Sequence, residues 1–366
     1  MKIEIQRENL LRPLQAVIGV VERRQTLPVL ANVLMVADDD GLSLTTTDLE
    51  VELVARTSGG IQEPGQITVP ARKLVDIVRN LPEGASVRLT LDQDRAVVSA
   101  ERSRFTLATL PATEFPTVED IGDTEPVLLP QGHLRELIEK THFSMALQDV
   151  RYYLNGLLLE LEPQRLRAVA TDGHRLAMGE LLGEVQVQNN QQVIVPRKGI
   201  QELLRLLDDT DDQVRLELSG NHIRVTLPEL RFTSKLIDGR FPDYQRVIPH
   251  VEGNVMLADR ETLRQALVRA SILSNEKYRG VRFTLEQDGL KIQSNNPEQE
   301  QADEELAVDY KGTPLEVGFN ASYLLDALAA MDSEQVRMGL VDANSSCLLQ
   351  DPSNEGYSYV VMPMRL

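Results

Sequence analysis

Leu42-Ser43-Leu44-Thr45-Thr46-Thr47-Asp48 returns as Leu166-Arg167-Ala168-Val169-Ala170-Thr171-Asp172 and again as Leu290-Lys291-Ile292-Gln293-Ser294-Asn295-Asn296, in two steps of 124 residues. Each stretch is a run of alternating apolar residues that ends in a polar corner. Self-similarity at a long, fixed period means that one supersecondary unit has been copied. The three stretches therefore set the frame for the rest of the chain.

Working outward, an apolar strand precedes each stretch, at 33–37, 154–161 and 281–286. Asp38-Asp39-Asp40-Gly41 and Asp288-Gly289 are tight-turn chemistry, because Asp and Gly tolerate positive φ. Further upstream, a helical spacing at Leu10, Leu11 and Leu14 recurs as Leu134, Leu137 and Ile138, then as Leu263, Ala266 and Leu267. Downstream, Ile67-Thr68-Val69-Pro70, Val193-Ile194-Val195-Pro196 and Val317-Gly318-Phe319-Asn320 each lead into a second helix, at 71–81, 197–207 and 321–331; Pro and Asn suit helix starts. Three more strands close each copy: 87–91, 96–100 and 104–110; 214–218, 222–227 and 231–236; 336–341, 346–349 and 357–362.

The reading is an α+β chain of three tandem modules, each with about two helices and eight strands, over residues 1–120, 121–250 and 251–366. Phe115-Pro116 and Phe241-Pro242, 126 residues apart, are read as linkers stiffened by proline.

Composition fits a globular protein, with 42% apolar and 26% charged residues. The start, Met1-Lys2-Ile3-Glu4-Ile5, lacks the unbroken apolar run of a signal peptide or spanning helix, which points to the cytoplasm and to no membrane. The single cysteine, Cys347, leaves no disulfide framework or cysteine zinc site and reads as strand filler.

A net charge of −18 argues at first against a nucleic-acid partner. Its distribution argues the other way. Helices taken as 9–20, 71–80, 131–141, 197–207, 260–271 and 321–331 carry together +6, from Arg12, Arg72, Lys73, Arg79, Arg135, Lys140, Arg197, Lys198, Arg205, Arg260, Arg264 and Arg269 against their acids. One basic helix face is ordinarily just a solvated face. Equivalent helices sharing one side of an assembly would converge on a locally positive surface for a polyanion.

Nothing in the chain reads as catalysis. There is no phosphate loop, Walker sequence, metalloprotease helix or nucleophile elbow, and the five histidines His133, His142, His174, His222 and His250 lack metal-ligand spacing. The most enzyme-like string, Thr171-Asp172-Gly173-His174-Arg175, gathers an acid, a base and a cation, but neighbours at a strand end point apart. A corner that contacts a ligand peptide is the better reading. The tail Tyr359-Val360-Val361-Met362-Pro363-Met364-Arg365-Leu366 suits a last core strand, and its methionines also suit an adaptable groove.

Asp149-Val150-Arg151-Tyr152-Tyr153-Leu154-Asn155-Gly156, residues 171–176, Phe232-Thr233-Ser234-Lys235-Leu236, residues 238–244, Ser274-Asn275-Glu276-Lys277 and the Val-Met-Pro-Met-Arg-Leu ending resemble the bacterial DNA polymerase III beta subunit family, the replicative DNA sliding clamps, over the whole chain. The resemblance implies a non-catalytic processivity factor without cofactor or metal. It implies a head-to-tail homodimer in which each chain is half of a closed ring, with helices lining a hole for duplex DNA held without sequence readout. The implied partners are the polymerase III alpha subunit, the clamp loader, other polymerases and repair proteins, which bind through short linear peptides.

The resemblance carries DNA contact to Arg24 and Gln148, with Arg72, Lys73, Arg197 and Lys198 as further wall cations. It carries a peptide groove to Arg151, Tyr153, Leu154, Thr171, Gly173, His174, Arg175, Leu176, Pro242, Arg246, Val247, Tyr278, Asn320, Tyr323, Ser346, Val360, Val361, Met362, Pro363 and Met364. For the dimer contact it implies Phe105 and Leu107 against Ile272 and Leu273, with Arg102 and Arg104 facing Glu298, Glu300 and Glu304. Tyr278 and Asn344 depart from the family pattern, by an added hydroxyl and by the loss of an apolar residue. Two rival readings are a hydrolase using Asp172 and His174, and an acidic scaffold that binds proteins only.

Overall fold

Residues 1–22, 27–118, 121–122, 124–183, 187 and 189–365 are described by the structure, a computed structural model. Among them are six α-helices: α1 (Arg7–Val17), α2 (Ala71–Asn80), α3 (Gln131–Glu139), α4 (Arg197–Leu206), α5 (Arg260–Ile272) and α6 (Ala321–Ala329). Each buries the stripe that its apolar spacing marks, such as Leu10, Leu14 and Val17 in α1 and Leu263, Ala266 and Leu267 in α5. The first helix starts at Arg7, two residues before its expected start, and gives way to a 3-10 turn at Ile18–Val20.

The helices enter from strands. Asp259 caps α5 by accepting from Thr262 N at 2.7 Å, and Asn320 caps α6 by accepting from Ser322 N at 2.9 Å, which satisfies amides that have no partner within the helix.

The first residue of α1, α3 and α5 closes the end of the following helix of its copy. Arg7 donates to Val78 O at 3.1 Å and Arg79 O at 2.8 Å, and Arg260 donates to Leu328 O at 3.1 Å and Ser333 O at 2.7 Å. Gln131, in the middle copy, bonds Thr210 Oγ1 at 2.9 Å and receives Asp208 N at 3.0 Å. Their own amides repeat as well, to Ala85 O, Asp212 O and Glu334 O at 2.9, 2.8 and 2.8 Å. The triplication seen in sequence is thus also a triplication of bonds.

Twenty-six strands make four antiparallel sheets among the described residues. The chain divides into two compact units, 1–132 with 201–236, and 133–200 with 237–366. In the first unit, a five-stranded sheet runs Ile61–Glu63, Lys2–Gln6, Ser86–Asp92, Arg95–Ala100, Ser103–Ala108, and an eight-stranded sheet joins the first two copies where Leu230–Lys235 pairs with Val51–Thr57, Phe232 opposite Leu53. In the second unit, a nine-stranded sheet joins the last two copies where Arg175–Leu182 pairs with Asn354–Val361, Ala177 opposite Tyr359. A four-stranded sheet ends on Gln301–Ala307. The copies are units of sequence, and hydrogen-bonded sheets group them differently.

The Phe-Pro segments do more than span. Phe115 is buried with Val29 and Leu34, and Phe241 with Leu158, Val169 and Ile194. No helix among the described residues is long and apolar enough to cross a membrane.

Candidate functional site

The corner at Thr171–Arg175 has a twin at Thr47–Val51. In the twin, Asp48 Oδ1 accepts from Glu50 N and Val51 N at 2.9 and 2.7 Å, and Thr47 Oγ1 donates to Val51 O at 2.9 Å. At the site, Asp172 Oδ1 accepts from His174 N and Arg175 N at 2.9 and 3.0 Å, and Thr171 Oγ1 donates to Arg175 O at 2.6 Å. Such side-chain caps hold a turn in one shape. Gly173 sits at φ +90 in the left-handed region, and a Cβ there would come within 2.9 Å of the Arg151 guanidinium.

The second Asp172 oxygen pairs with Arg175 Nε at 3.1 Å, so this carboxylate is committed to the turn and its cation, while the His174 side chain points to solvent. The hydrolase reading fails on this geometry, because an acid–base pair requires the two side chains to address each other or a shared substrate atom.

Arg175 is the centre of the corner. It pairs with Asp172 and with Asp326 of α6, donates to Phe143 O at 2.8 Å, and lies 4.6 Å from the Tyr323 ring centroid. Burial, with Asp172 next, pushes the Tyr323 hydroxyl pKa up. Arg151 clamps Asp149 at 3.0 and 2.9 Å, and this holds the half-buried Asp149 carboxyl down to about 2.

Below the corner lies an apolar floor. Ile194, Leu158, Val169 and Met178 sit opposite one another on adjacent strands and pack with Leu176, Val360, Leu348, Phe241 and Tyr244. Leu154, Leu176, Val360 and Val361 are buried, so they shape the floor more than they offer free surface. Around it Val247 and Met362 remain about half exposed, at 50% and 47%, with Pro242 and Arg246 also exposed and Tyr153 half-buried.

The carboxyl-terminal segment is stitched alongside by Met362 N to His174 O and Met364 N to Gly318 O, both 2.9 Å, with Pro363 between them. Residues from the second and third copies thus meet across one sheet. Ser346 is half-buried just before the strand Cys347–Asp351. Asn320 is engaged as the cap of α6. Tyr278 lies with Met364, Asn275 and Arg365 around a separate cavity of about 590 Å³, away from the floor, and Asn344 N donates to Asp342 Oδ1 at 2.7 Å in an exposed turn.

Sequence reasoning missed the floor partners Phe241, Tyr244, Ile248 and Val251, because an irregular segment between copies reads as a linker. The apolar residues flanking Pro242 at irregular spacing were the available signal.

The helix cations divide into engaged and open groups. Arg205 pairs with Glu202, Arg264 with Glu261, Arg135 with Glu139, Lys140 with Glu136 and Asp332, and Arg260 closes α6. That corrects a reading in which all twelve cations serve one surface. Arg12, Lys73 and Arg79 are exposed without an ion pair among the described residues. Arg72 donates to Val21 O, Arg197 to Met145 O at 3.1 Å, and burial, with Arg175 nearby, lowers the pKa of Arg197. Lys198 is half-buried. Gln148 is exposed at φ +55, and Arg24 lies outside the described residues.

At the expected dimer contact, Ser103–Ala108 and Gln301–Ala307 are indeed the edges of their sheets. Ile272 is 71% exposed, Leu273 and Phe105 are half-buried, and Leu107 is buried within its own copy. Arg102, Arg104, Glu298 and Glu300 are exposed. Glu304 already has a cation in its own chain: Arg269 holds both its oxygens, at 2.8 and 2.7 Å. No cluster of three potential metal ligands occurs among the described residues.

Comparison with known proteins fits this geometry. Family models for the DNA polymerase III beta subunit match in order: the N-terminal domain over 1–119, the central domain over 128–243 and the C-terminal domain over 245–365. The beta sliding clamp of Pseudomonas putida is 58% identical, with each chain covered in full. A crystal structure of a Pseudomonas aeruginosa sliding clamp bound to griselimycin has TM-score 0.97 at 56% identity, again with full coverage of both chains. A Caulobacter crescentus clamp, described with PEG bound to a putative beta-motif tethering region, has TM-score 0.96 at 42% identity and full coverage of both.

Proposed function

The chain belongs to the DNA polymerase III beta subunit family, and from that premise we propose that two copies close head to tail into a ring around duplex DNA and offer the groove beside Arg175 to short peptides of replication proteins. Its function is that of a DNA sliding clamp, a non-catalytic factor that tethers the replicative polymerase. A topological link needs no base readout, and phosphate contacts that fix no register let the ring slide.

In this reading Arg24, Arg72, Lys73, Gln148, Arg197 and Lys198 face DNA. The exposed Lys73 supports the assignment best. Arg72 and Arg197 act with part of their donors already used. Modules 1–120, 121–250 and 251–366 form half of the ring. Edge strands Ser103–Ala108 and Gln301–Ala307, with Ile272 exposed, support the homodimer contact, since pairing would cover two edges at once.

The groove takes apolar anchors between the exposed Val247 and Met362, which serve as adaptable walls beside the buried Leu158–Val169 row. Its occupants are segments of the alpha subunit, the clamp loader, other polymerases and repair proteins, met in the cytoplasm. The observation that carries the reading is the half-exposed apolar pair Val247 and Met362, set beside a buried apolar row where two copies share a sheet.

The test is retention after loading on nicked circular DNA and on the same DNA linearised. Loss from the linear form alone is expected, and equal retention on both would overturn the ring.

A further inference from the structure

One row of polar residues runs parallel to the apolar floor, two residues along the same four strands. Gln192 stands opposite Glu160, Glu160 opposite Arg167, and Arg167 opposite Glu180. All four side chains share the face that carries Ile194, Leu158, Val169 and Met178, because positions two apart on a strand point the same way. Glu160 and Arg167 are 5% and 9% exposed. Charges so placed are costly unless paired and hydrogen-bonded.

The pairing is complete only with a residue from outside the sheet. Gln192 Nε2 donates to Glu160 Oε1 at 2.6 Å, and Arg167 donates to Glu180 at 3.2 and 2.8 Å. The remaining Glu160 oxygen accepts from the Tyr244 hydroxyl at 2.5 Å, and that hydroxyl accepts from Arg167 Nη1 at 2.8 Å. Direct contact between Arg167 and Glu160 is long, at 3.5 Å, so the phenol is the link between the two charges. Its ring meanwhile packs into the apolar floor.

Tyr244 opens the 3-10 turn Tyr244–Val247, whose other end carries Arg246 and Val247. Among the described residues the Arg246 side chain, 85% exposed, pairs only with Asp243 of the same segment, and Val247 is half exposed, so neither fixes the turn to the sheet. Phe241 and Ile248 pack into the floor at the two ends of the segment, and Tyr244 adds to them the hydrogen bonds that hold the turn to the sheet.

We propose that Tyr244 is a positioning residue for the peptide groove: its hydroxyl, gripped between Glu160 and Arg167, latches the 242–247 wall at the height at which Val247 can close over a bound apolar anchor. The hydrogen-bond direction makes the latch specific, since a phenol can give to the carboxylate and receive from the guanidinium at once. A phenylalanine would keep the ring packing and lose both bonds. The proposal rests on the groove reading above, and the two can fail separately.

The probe is the tightest binder among overlapping fluorescent peptides spanning the cognate polymerase alpha subunit, measured on the full chain. Tyr244→Phe is expected to weaken it about tenfold, the scale of one lost hydrogen bond to a charged group. The loss falls on dissociation rate, and amide exchange at 243–248 speeds up in the free protein.

Met362→Ala serves as the direct-contact control. If Met362→Ala weakens the peptide and Tyr244→Phe leaves affinity and local exchange as they were, the latch is refuted and the groove stands. Should Met362→Ala have no effect, or no peptide bind, the groove reading fails and the latch with it. A fall in melting temperature for Tyr244→Phe with affinity unchanged assigns the network to stability alone, which also refutes the proposal.

Discussion

Replacing Arg175 with alanine removes one side chain that joins four groups. Its guanidinium donates to Phe143 O at 2.8 Å, pairs with Asp172 at 3.1 Å and with Asp326, and stacks over Tyr323 at 4.6 Å. A charged donor on a part-buried carbonyl contributes about 1.5–3 kcal/mol, and the cation–π contact about 1 kcal/mol. The ion pairs add less. Asp326 is about half exposed, and Asp172 keeps two backbone amides after truncation. Because the contacts share one group they do not add fully, and about 3 kcal/mol is the expected total. For a unit of this size that lowers the melting temperature by about 6–12 °C. Arg175→Lys keeps the charge but cannot reach in three directions, and recovers less than half of the loss. Thermal melting of the three proteins, followed by peptide titration, makes the comparison. An Arg175→Ala protein that melts within about 2 °C of the parent would refute the reasoning, because at least one of these contacts would then have to be idle.

Two further outcomes follow from burial. Burial above all, with Glu160 also acting on Tyr244, raises the hydroxyl pKa values of Tyr244, Tyr357 and Tyr359, so the folded chain holds protons that the unfolded chain releases near pH 10. Their contribution to stability is full below that pH and falls as pH climbs beyond it. Urea midpoints should therefore drop above pH 10; a flat midpoint would count against it. Cys347 is fully buried opposite Val361, and burial pushes its thiol well up, so a disulfide reagent should label it only at the rate of unfolding. Rapid labelling under native conditions would contradict that strand pairing.

Much of the fold was legible because it is local and repeated. Asp-Gly turns, alternation in the hairpins and the stripe at Leu10 and Leu14 each specify an element from neighbouring residues, and recurrence at 124 residues removed ambiguity. Pairing between copies was not legible, since nothing in Leu230–Lys235 names Val51–Thr57 as its neighbour. The groove was half visible. Its polar corner sits in one continuous string, whereas its floor is assembled from four strands and a segment that reads as a linker. Charge was read too generously: Arg205, Arg264 and Arg269 spend their charge on Glu202, Glu261 and Glu304, partners three residues away or on another element.

The shared sheets also determine how the chain answers to force. The first two copies meet through five facing residue pairs, Leu230 to Ser234 against Ala55 to Val51, and the last two through five, Arg175 to Gly179 against Val361 to Tyr357. A pull along those strands loads every rung of the ladder together, while a pull across them opens one rung at a time. A motor that prised at the outer end of either ladder would meet a zip, and one that dragged the copies past each other would meet a shear joint. A clamp built this way tolerates drag along its strands and yields to peeling.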